Sequence, residues 1–225
     1  MKLSNRLLIN LSLVPKGTSV ADIGCDHAYC SIYLIEQDLS NKVIAMDINK
    51  GPLERAKAHI EEAGMEDRIQ CRLSDGMEKL IPGEVDTAVI SGLGGNLMIR
   101  ILSAYPYVTD ELKYLVLQPQ SDIGLVRRFV QEIGFHIERE LACKEGKFYF
   151  SFLCAKGKEE EKWSEEDYLY GKKLIESKDE TLKEFLNDKK RTLQDIVDKL
   201  DEDNPEVSNL REKIHTIDKA LIRME

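Results

Sequence analysis

Short apolar runs alternate with amphipathic segments from Ser19 to Ile133, and this alternation limits the chain to very few architectures. The runs predict strands at Ser19–Ile23, Lys42–Met46, Ile69–Leu73, Val85–Ile90 and Tyr114–Leu117. The segments between them carry apolar residues at helical spacing over Ala28–Gln37, Pro52–Ala63, Asn96–Ala104 and Asp122–Ile133. A further short helix, Lys2–Val14, precedes the first strand and presents Leu3, Leu7, Leu8 and Leu11 on one side. Strands alternating with helices imply right-handed crossovers and a mostly parallel sheet covered on both faces. After Gly134 the rhythm changes. "FHIERELACKEGKFYFSFLCAKG" reads as two extended runs separated by Lys144–Gly146, so the sheet is predicted to finish with antiparallel strands.

From Trp163 onward the pattern is helical, with no glycine after Gly171. Leu182, Leu186, Leu193, Ile196 and Leu200 form one apolar stripe, "DEDNPE" breaks it at Asn204 and Pro205, and Val207, Leu210, Ile214, Ile217 and Leu221 form a second. Two such stripes predict an antiparallel coiled-coil hairpin. The expected organisation is an α/β domain over residues 1–157 and a helical domain over 158–225. A chain of 225 residues, 42% hydrophobic, suffices for one full core and an appendage of this kind.

The formal charge of -9 argues against a protein that coats nucleic acid by bulk electrostatics. Residues 1–157 carry 18 Lys and Arg against 21 Asp and Glu, and the rest carry 14 against 20, so the acidic excess lies in the tail. Local cations are still present there, at Lys172, Lys173, Lys189, Lys190 and Arg191. Neither a run of 18 apolar residues nor a charged-then-apolar leader occurs, and a cytoplasmic protein is expected. Five cysteines, none in a C-x-x-C pair, fit neither a disulfide framework nor a zinc knuckle. Cys25, Asp26, His27 and Cys30 lack the spacing of a tetrahedral site, and no metal is expected.

Ligands of open α/β sheets lie beyond the carboxyl ends of the strands, so the strand ends carry the functional information. The first, "VADIGCDHAYC", has one glycine where a dinucleotide fingerprint requires three, which argues against NAD or FAD. It offers Asp22, Gly24 and Asp26, then a small Ala28 where the helix meets the sheet. Asp47 ends the second strand 23 positions beyond Gly24, placed to accept from both hydroxyls of a ribose, with Ile48 beside it. The bland alternative is that Asp47 caps the helix near Pro52. Asp75 and Gly76 end the third strand, where the carboxylate suits an adenine exocyclic amine, or the pair is an ordinary turn. The fourth ends in "SGLGGN", whose Ser91, Gly92, Gly94, Gly95 and Asn96 leave backbone exposed for a second substrate.

Parallel strands closed by antiparallel ones resemble the class I methyltransferase sheet, and the S-adenosylmethionine that this resemblance implies, a nucleoside without a pyrophosphate, explains the single glycine. Asp22 or Asp26 then faces its ammonium group, and His27 is either a wall of the pocket or a solvated neighbour of the helix start. The fourth loop is neither the [DN]-P-P-[FY] loop of exocyclic-amine methyltransferases nor a Pro-Cys pair for covalent attack. Methylation of a ring nitrogen needs neither, because the N1 lone pair of neutral adenine is already nucleophilic.

The predicted sheet resembles that of class I methyltransferases, a Rossmann-like arrangement with one reversed strand. "LSNRLLINLSLVPKGTSVADIGCDHAYCSIYLI", "AMDIN", "LSDGM", "ISGLGG" and "LVLQPQ" are similar to the bacterial tRNA adenine-22 N1-methyltransferase family from Lys2 to about Lys156, and the similarity continues into the helical tail. The resemblance implies S-adenosylmethionine as methyl donor and tRNA as acceptor, with no obligate protein partner evident. It maps the first motif onto Asp22, Gly24, Asp26, His27 and Tyr29, of which His27 and Tyr29 are expected to be catalytic. Gly94, Gly95, Asn96 and Gln118, with Lys189, Lys190 and Arg191 of the tail, are the expected substrate contacts. Gln120 departs from the family pattern, which often has Asn there. From the residues themselves two other readings stay open: a class I methyltransferase of small molecules or proteins, and a catalytically silent RNA-binding module.

Overall fold

The structure is a computed structural model and describes residues 3–225; Lys2, where the first helix was expected to begin, lies outside the described residues. The elements are α1 (Asn5–Leu11), β1 (Thr18–Ile23), α2 (Tyr29–Glu36), β2 (Ser40–Asp47), α3 (Lys50–Glu62), β3 (Ile69–Leu73), β4 (Thr87–Ser91), α4 (Gly95–Ala104), α5 (Pro106–Thr109), β5 (Tyr114–Gln118), α6 (Ile123–Glu132), β6 (Phe135–Glu145) and β7 (Lys147–Lys156). A π-helical turn (Asp167–Gly171), α7 (Lys172–Glu176), α8 (Glu180–Val197) and α9 (Pro205–Arg223) follow. The strands form one seven-stranded sheet in the order β3-β2-β1-β4-β5-β7-β6.

All predicted strands are present. The final hairpin is tighter than expected, with Glu145 paired directly to Lys147 across Gly146. Its second strand inserts between β5 and β6, antiparallel to both, so β7 alone runs against the sheet. Buried side chains on the two faces form separate cores. Ala21, Ile23, Ile44, Met46, Ala88, Ile90, Leu115 and Leu117 pack under α4 and α6, whereas Val20, Val43, Ala45, Val89 and Val116 pack under α1, α2 and α3. This two-sided burial is why the strands read as unbroken apolar runs.

The tail is fastened to the first of these faces. Trp163 joins the core beneath α6, and Tyr170, Leu174, Ile175, Leu182, Leu186, Ile217 and Ala220 form a third cluster around Phe150 of β7. α8 and α9 pack as a hairpin, capped where Asn204 precedes Pro205 at the start of α9, and Lys190 pairs with Asp218 between them at 2.6 Å. The buried stripe of α8 runs through Leu182, Leu186 and Val197; Ile196, expected in the seam, is 41% exposed.

Candidate active site

The carboxyl ends of β1, β2, β3 and β4 open onto a cleft of about 340 Å³ lined by residues including Gly24, Asp26, Asp47, Ile48, Asp75, Gly76, Leu93, Leu97 and Ile101. A hollow of about 400 Å³ lies elsewhere, between α6 and the tail. The strand-end cleft is the better candidate for the chemistry, because it combines acidic groups at both ends with an apolar wall.

The turn after β1 is built from an unusual succession of left-handed residues: Gly24 at φ 78°, Asp26 at 49° and Ala28 at 60°. Only glycine adopts this conformation without steric cost, and a non-glycine residue there costs on the order of 1–2 kcal/mol. Ala28 is fully buried and stands immediately before the first residue of α2. Strain of this kind persists where the surroundings over-determine the backbone, as they do at ligand-binding turns. The space where a side chain on Gly24 would begin is open, so a ligand can lie directly against the backbone.

Beneath the turn, Asp22 is buried and accepts a hydrogen bond from Ser31 Oγ of α2 at 2.6 Å. Burial pushes its carboxyl up to about 6, against the lowering effect of the Ser31 hydrogen bonds. A carboxyl whose folded-state value lies above its unfolded value costs stability as pH rises through the interval between the two. Asp22→Asn is therefore expected to gain up to ~3 kcal/mol of ligand-free stability relative to the native chain between pH 4 and pH 8. Parallel urea titrations at the two pH values check this; an unchanged difference would contradict it. Asp26, in contrast, is exposed and lines the cleft itself.

Asp47 is held at the end of β2 with both oxygens oriented: Oδ1 accepts from the Asn49 amide at 2.8 Å and Oδ2 from the Asp26 amide at 3.3 Å. Each oxygen retains a lone pair for a further donor. Ile48 is 58% exposed beside it, facing the same cleft as Leu93, Leu97 and Ile101. An apolar slot with carboxylates at Asp47 and Asp75 suits a purine nucleoside, whose ring is flat and whose hydroxyls and amine are donors.

His27 and Tyr29 are not among the residues lining this cleft. Their rings stack at 5.4 Å, and Tyr29 stacks in turn on His59 of α3 at 4.8 Å. Arg55 Nε donates to His27 Nδ1 at 3.3 Å, and Tyr29 borders a separate depression with Tyr33 and His59. No local pattern marks His59, which reaches this group from 32 residues away.

Several other expected contacts are already committed within the chain. Gln118 is fully buried: its Nε2 donates to Arg6 O and Ser151 Oγ, and its Oε1 accepts from Arg6 Nη1. Its amide fixes α1 on the sheet and has no free edge for a substrate. Gly95 is buried, with the Ser121 carbonyl only 2.5 Å from where a β-carbon would stand, so its place is set by packing of α4. Asn96 donates to Asp122 at 2.9 Å, and Ser91 accepts from Asn10 at 2.6 Å. Gly92 and Gly94 remain partly open. In the tail, Lys172 is buried and paired with Glu161, which removes it from any phosphate contact; Lys190 is spent on Asp218. Lys189 lies over the rings of Tyr170 and Phe185, and Arg191, 74% exposed, touches Asp188.

Cys25 and Cys30, within the first turn and helix, carry thiols raised by burial, with Asp22 reinforcing the shift. A thiolate nucleophile is disfavoured at both. Cys25→Ser and Cys30→Ser are expected to keep turnover within about tenfold of the native chain, whereas a covalent thiol mechanism would lose it altogether. Initial-rate assays of the two variants decide between these outcomes.

The strand order, the single reversed strand and the acid-lined cleft at the strand ends define a class I S-adenosylmethionine-dependent methyltransferase. The pattern of the tRNA (adenine(22)-N(1))-methyltransferases, TrmK, matches residues 20–219. The chain belongs to this family. It is 33% identical to the tRNA (adenine(22)-N(1))-methyltransferase of Bacillus subtilis over 158 residues, which are 70% of this chain and 66% of that protein. Among solved structures, TrmK of M. capricolum in complex with S-adenosyl-homocysteine superimposes with a TM-score of 0.89 at 25% identity, covering all of both chains. Streptococcus pneumoniae Sp1610, solved with S-adenosyl-L-methionine, superimposes with a TM-score of 0.88 at 28% identity over 98% of this chain and 100% of its own.

Proposed function

We infer that the protein transfers the methyl group of S-adenosylmethionine to N1 of adenine 22 in tRNA. The observation that carries the reading is the cleft itself: Asp47 with both oxygens oriented, an exposed Ile48 and an open Gly24 backbone, set in a chain of the tRNA (adenine(22)-N(1))-methyltransferase family. When bound, the cofactor supplies an electrophilic methyl group. Asp47 would hold its ribose, Ile48, Leu97 and Ile101 its adenine, and Asp26 its ammonium group, with Asp75 near the exocyclic amine. The adenine N1 lone pair of the tRNA forms the new N–CH₃ bond while the S–CH₃ bond breaks, its electron pair going to sulfur. No proton leaves N1, so the chain has no general base to supply, and its work is orientation and exclusion of water.

The stacked His27, Tyr29 and His59 serve this reading as the group that fixes the strained turn, with His27 reaching the cleft through Asp26, whose Oδ1 lies 3.5 Å from His27 Nε2. The helical segment 158–225 is proposed as the arm that holds the tRNA, with Lys189 and Arg191 as its cationic contacts. Such a substrate fits a cytoplasmic protein; among the described residues no helix is long and apolar enough to cross a membrane. Incubation of an unmodified tRNA transcript with the protein and methyl-labelled cofactor, followed by nucleoside analysis, tests the assignment. Label in 1-methyladenosine supports it; label in another nucleoside, or none, overturns it.

A further inference from the structure

Beyond the cofactor cleft, Arg6 and Gln120 meet over Gly92, and Tyr149 and Lys147 touch them in turn. Arg6 of α1 donates from Nη1 to Gln118 at 3.0 Å and lies 5.4 Å from the centre of the Tyr149 ring. Lys147 lies 5.2 Å from the same ring and donates to Gln120 Oε1 at 2.6 Å. Arg6 Nη1 and Gln120 Nε2 both stand 3.6 Å from the position a β-carbon on Gly92 would take. Gly92 adjoins Leu93, which lines the cofactor cleft. The cluster therefore flanks the place where an acceptor must approach the methyl group.

The chemistry of the cluster is specific. Two cations gathered on one aromatic ring attract phosphate, and each phosphate neutralised by a Lys or Arg makes binding more sensitive to salt. A carboxamide pairs in two-point fashion with N6 and N7 of adenine, an edge that adjoins the pairing edge and shares only N6 with it. Contact along that edge leaves the N1 lone pair uncovered. Gln118 is consumed by Arg6 and Ser151, whereas Gln120 is exposed and its partner Lys147 is free to exchange an amide oxygen for a phosphate.

We propose that Gln120 reads the N6/N7 edge of the acceptor adenine, while Arg6 and Lys147, gathered on Tyr149, hold the phosphates that flank it. The proposal rests on the methyltransferase reading above and adds the groups that select the base. It requires no residue to take part in bond making, only to hold the nucleotide so that N1 faces the methyl group.

The test uses the full chain and two tRNA transcripts that differ only at the target nucleotide, adenosine in one and 7-deazaadenosine in the other. Single-turnover methylation is measured with saturating cofactor for the native chain and for Gln120→Ala. The native chain is expected to methylate the 7-deaza transcript about tenfold more slowly, having lost the N7 acceptor, and Gln120→Ala to treat both alike. Equal native rates, or discrimination that survives Gln120→Ala, would overturn the inference while leaving the methyltransferase reading intact. A native chain that leaves the adenosine transcript unmethylated would instead overturn that reading, and the inference with it. Lys147→Ala supplies a readout independent of turnover: the slope of log tRNA affinity against log salt is expected to fall by about one. An unchanged slope would remove Lys147 from the phosphate contacts. Both substituted side chains are exposed, and thermal unfolding of the variants verifies that they fold.

Discussion

Glu140→Gln is expected to destabilise the folded chain by about 3–5 kcal/mol, the usual consequence of removing one member of a buried ion pair. The Arg127 and Glu140 side chains are 1% and 0% exposed, and Arg127 Nε donates to Glu140 Oε1 at 2.8 Å. The pair joins the tail to the sheet. Arg127 Nη1 donates to the carbonyls of Tyr168 and Leu169, and the Lys173 amide donates to Glu140 Oε2. Gly171, at φ 99°, passes so close that a β-carbon would stand 2.8 Å from Arg127 Nη2 and from both Glu140 carboxylate oxygens. The glutamine keeps the shape of the carboxylate and removes its charge, leaving the guanidinium buried without a counterion. Urea unfolding at pH 7 is the measurement, and a loss below about 1 kcal/mol would show that water reaches the pair. Because the π-helical turn, α7 and Trp163 are built into this junction, a chain ending before Trp163 would expose it. Loss of tRNA methylation in such a truncation would therefore need a stability measurement beside it.

Asp47→Ala is expected to weaken S-adenosylmethionine binding by roughly 1.5–3 kcal/mol, the scale of hydrogen bonds to a charged group. The carboxylate is already fixed by the Asn49 and Asp26 amides, so little ordering is required when ribose hydroxyls arrive. The substitution also releases the Asp26 amide, and with it one restraint on the strained turn. Calorimetric titration of the variant with the cofactor checks the assignment; native affinity would contradict it.

The legible parts of this protein are those fixed by local patterns. β1, β2, β4 and β5 are buried on both faces, so they stand out as apolar runs, and Asp47 stands out by its distance from Gly24. The tail helices were visible in their spacing, yet the seam passes through Val197 instead of Ile196, because a stripe drawn at fixed steps drifts around an α-helix. What local pattern does not encode is pairing between distant residues. Gln118 reads as a polar strand end open to substrate, and only the return of α1 across the sheet brings Arg6, 112 positions away, to close it. Lys172 reads as a surface cation, and burial against Glu161 makes it structural. The insertion of β7 beside β5, and the meeting of His27, Tyr29 and His59, depend likewise on how the elements are wound together.

The most direct measurement of the central claim is the position and chemistry of the methyl group on the RNA. A tRNA transcript treated with the protein and S-adenosylmethionine is copied by reverse transcriptase, which halts where the pairing edge of adenine is blocked, and is analysed in parallel by mass spectrometry of nuclease fragments. The expected result is one added methyl group at N1 of nucleotide 22, with neither halt nor mass shift in a transcript carrying guanosine there. A methyl group on another nucleotide, a mass shift at nucleotide 22 without a halt, or an unmodified transcript would contradict it.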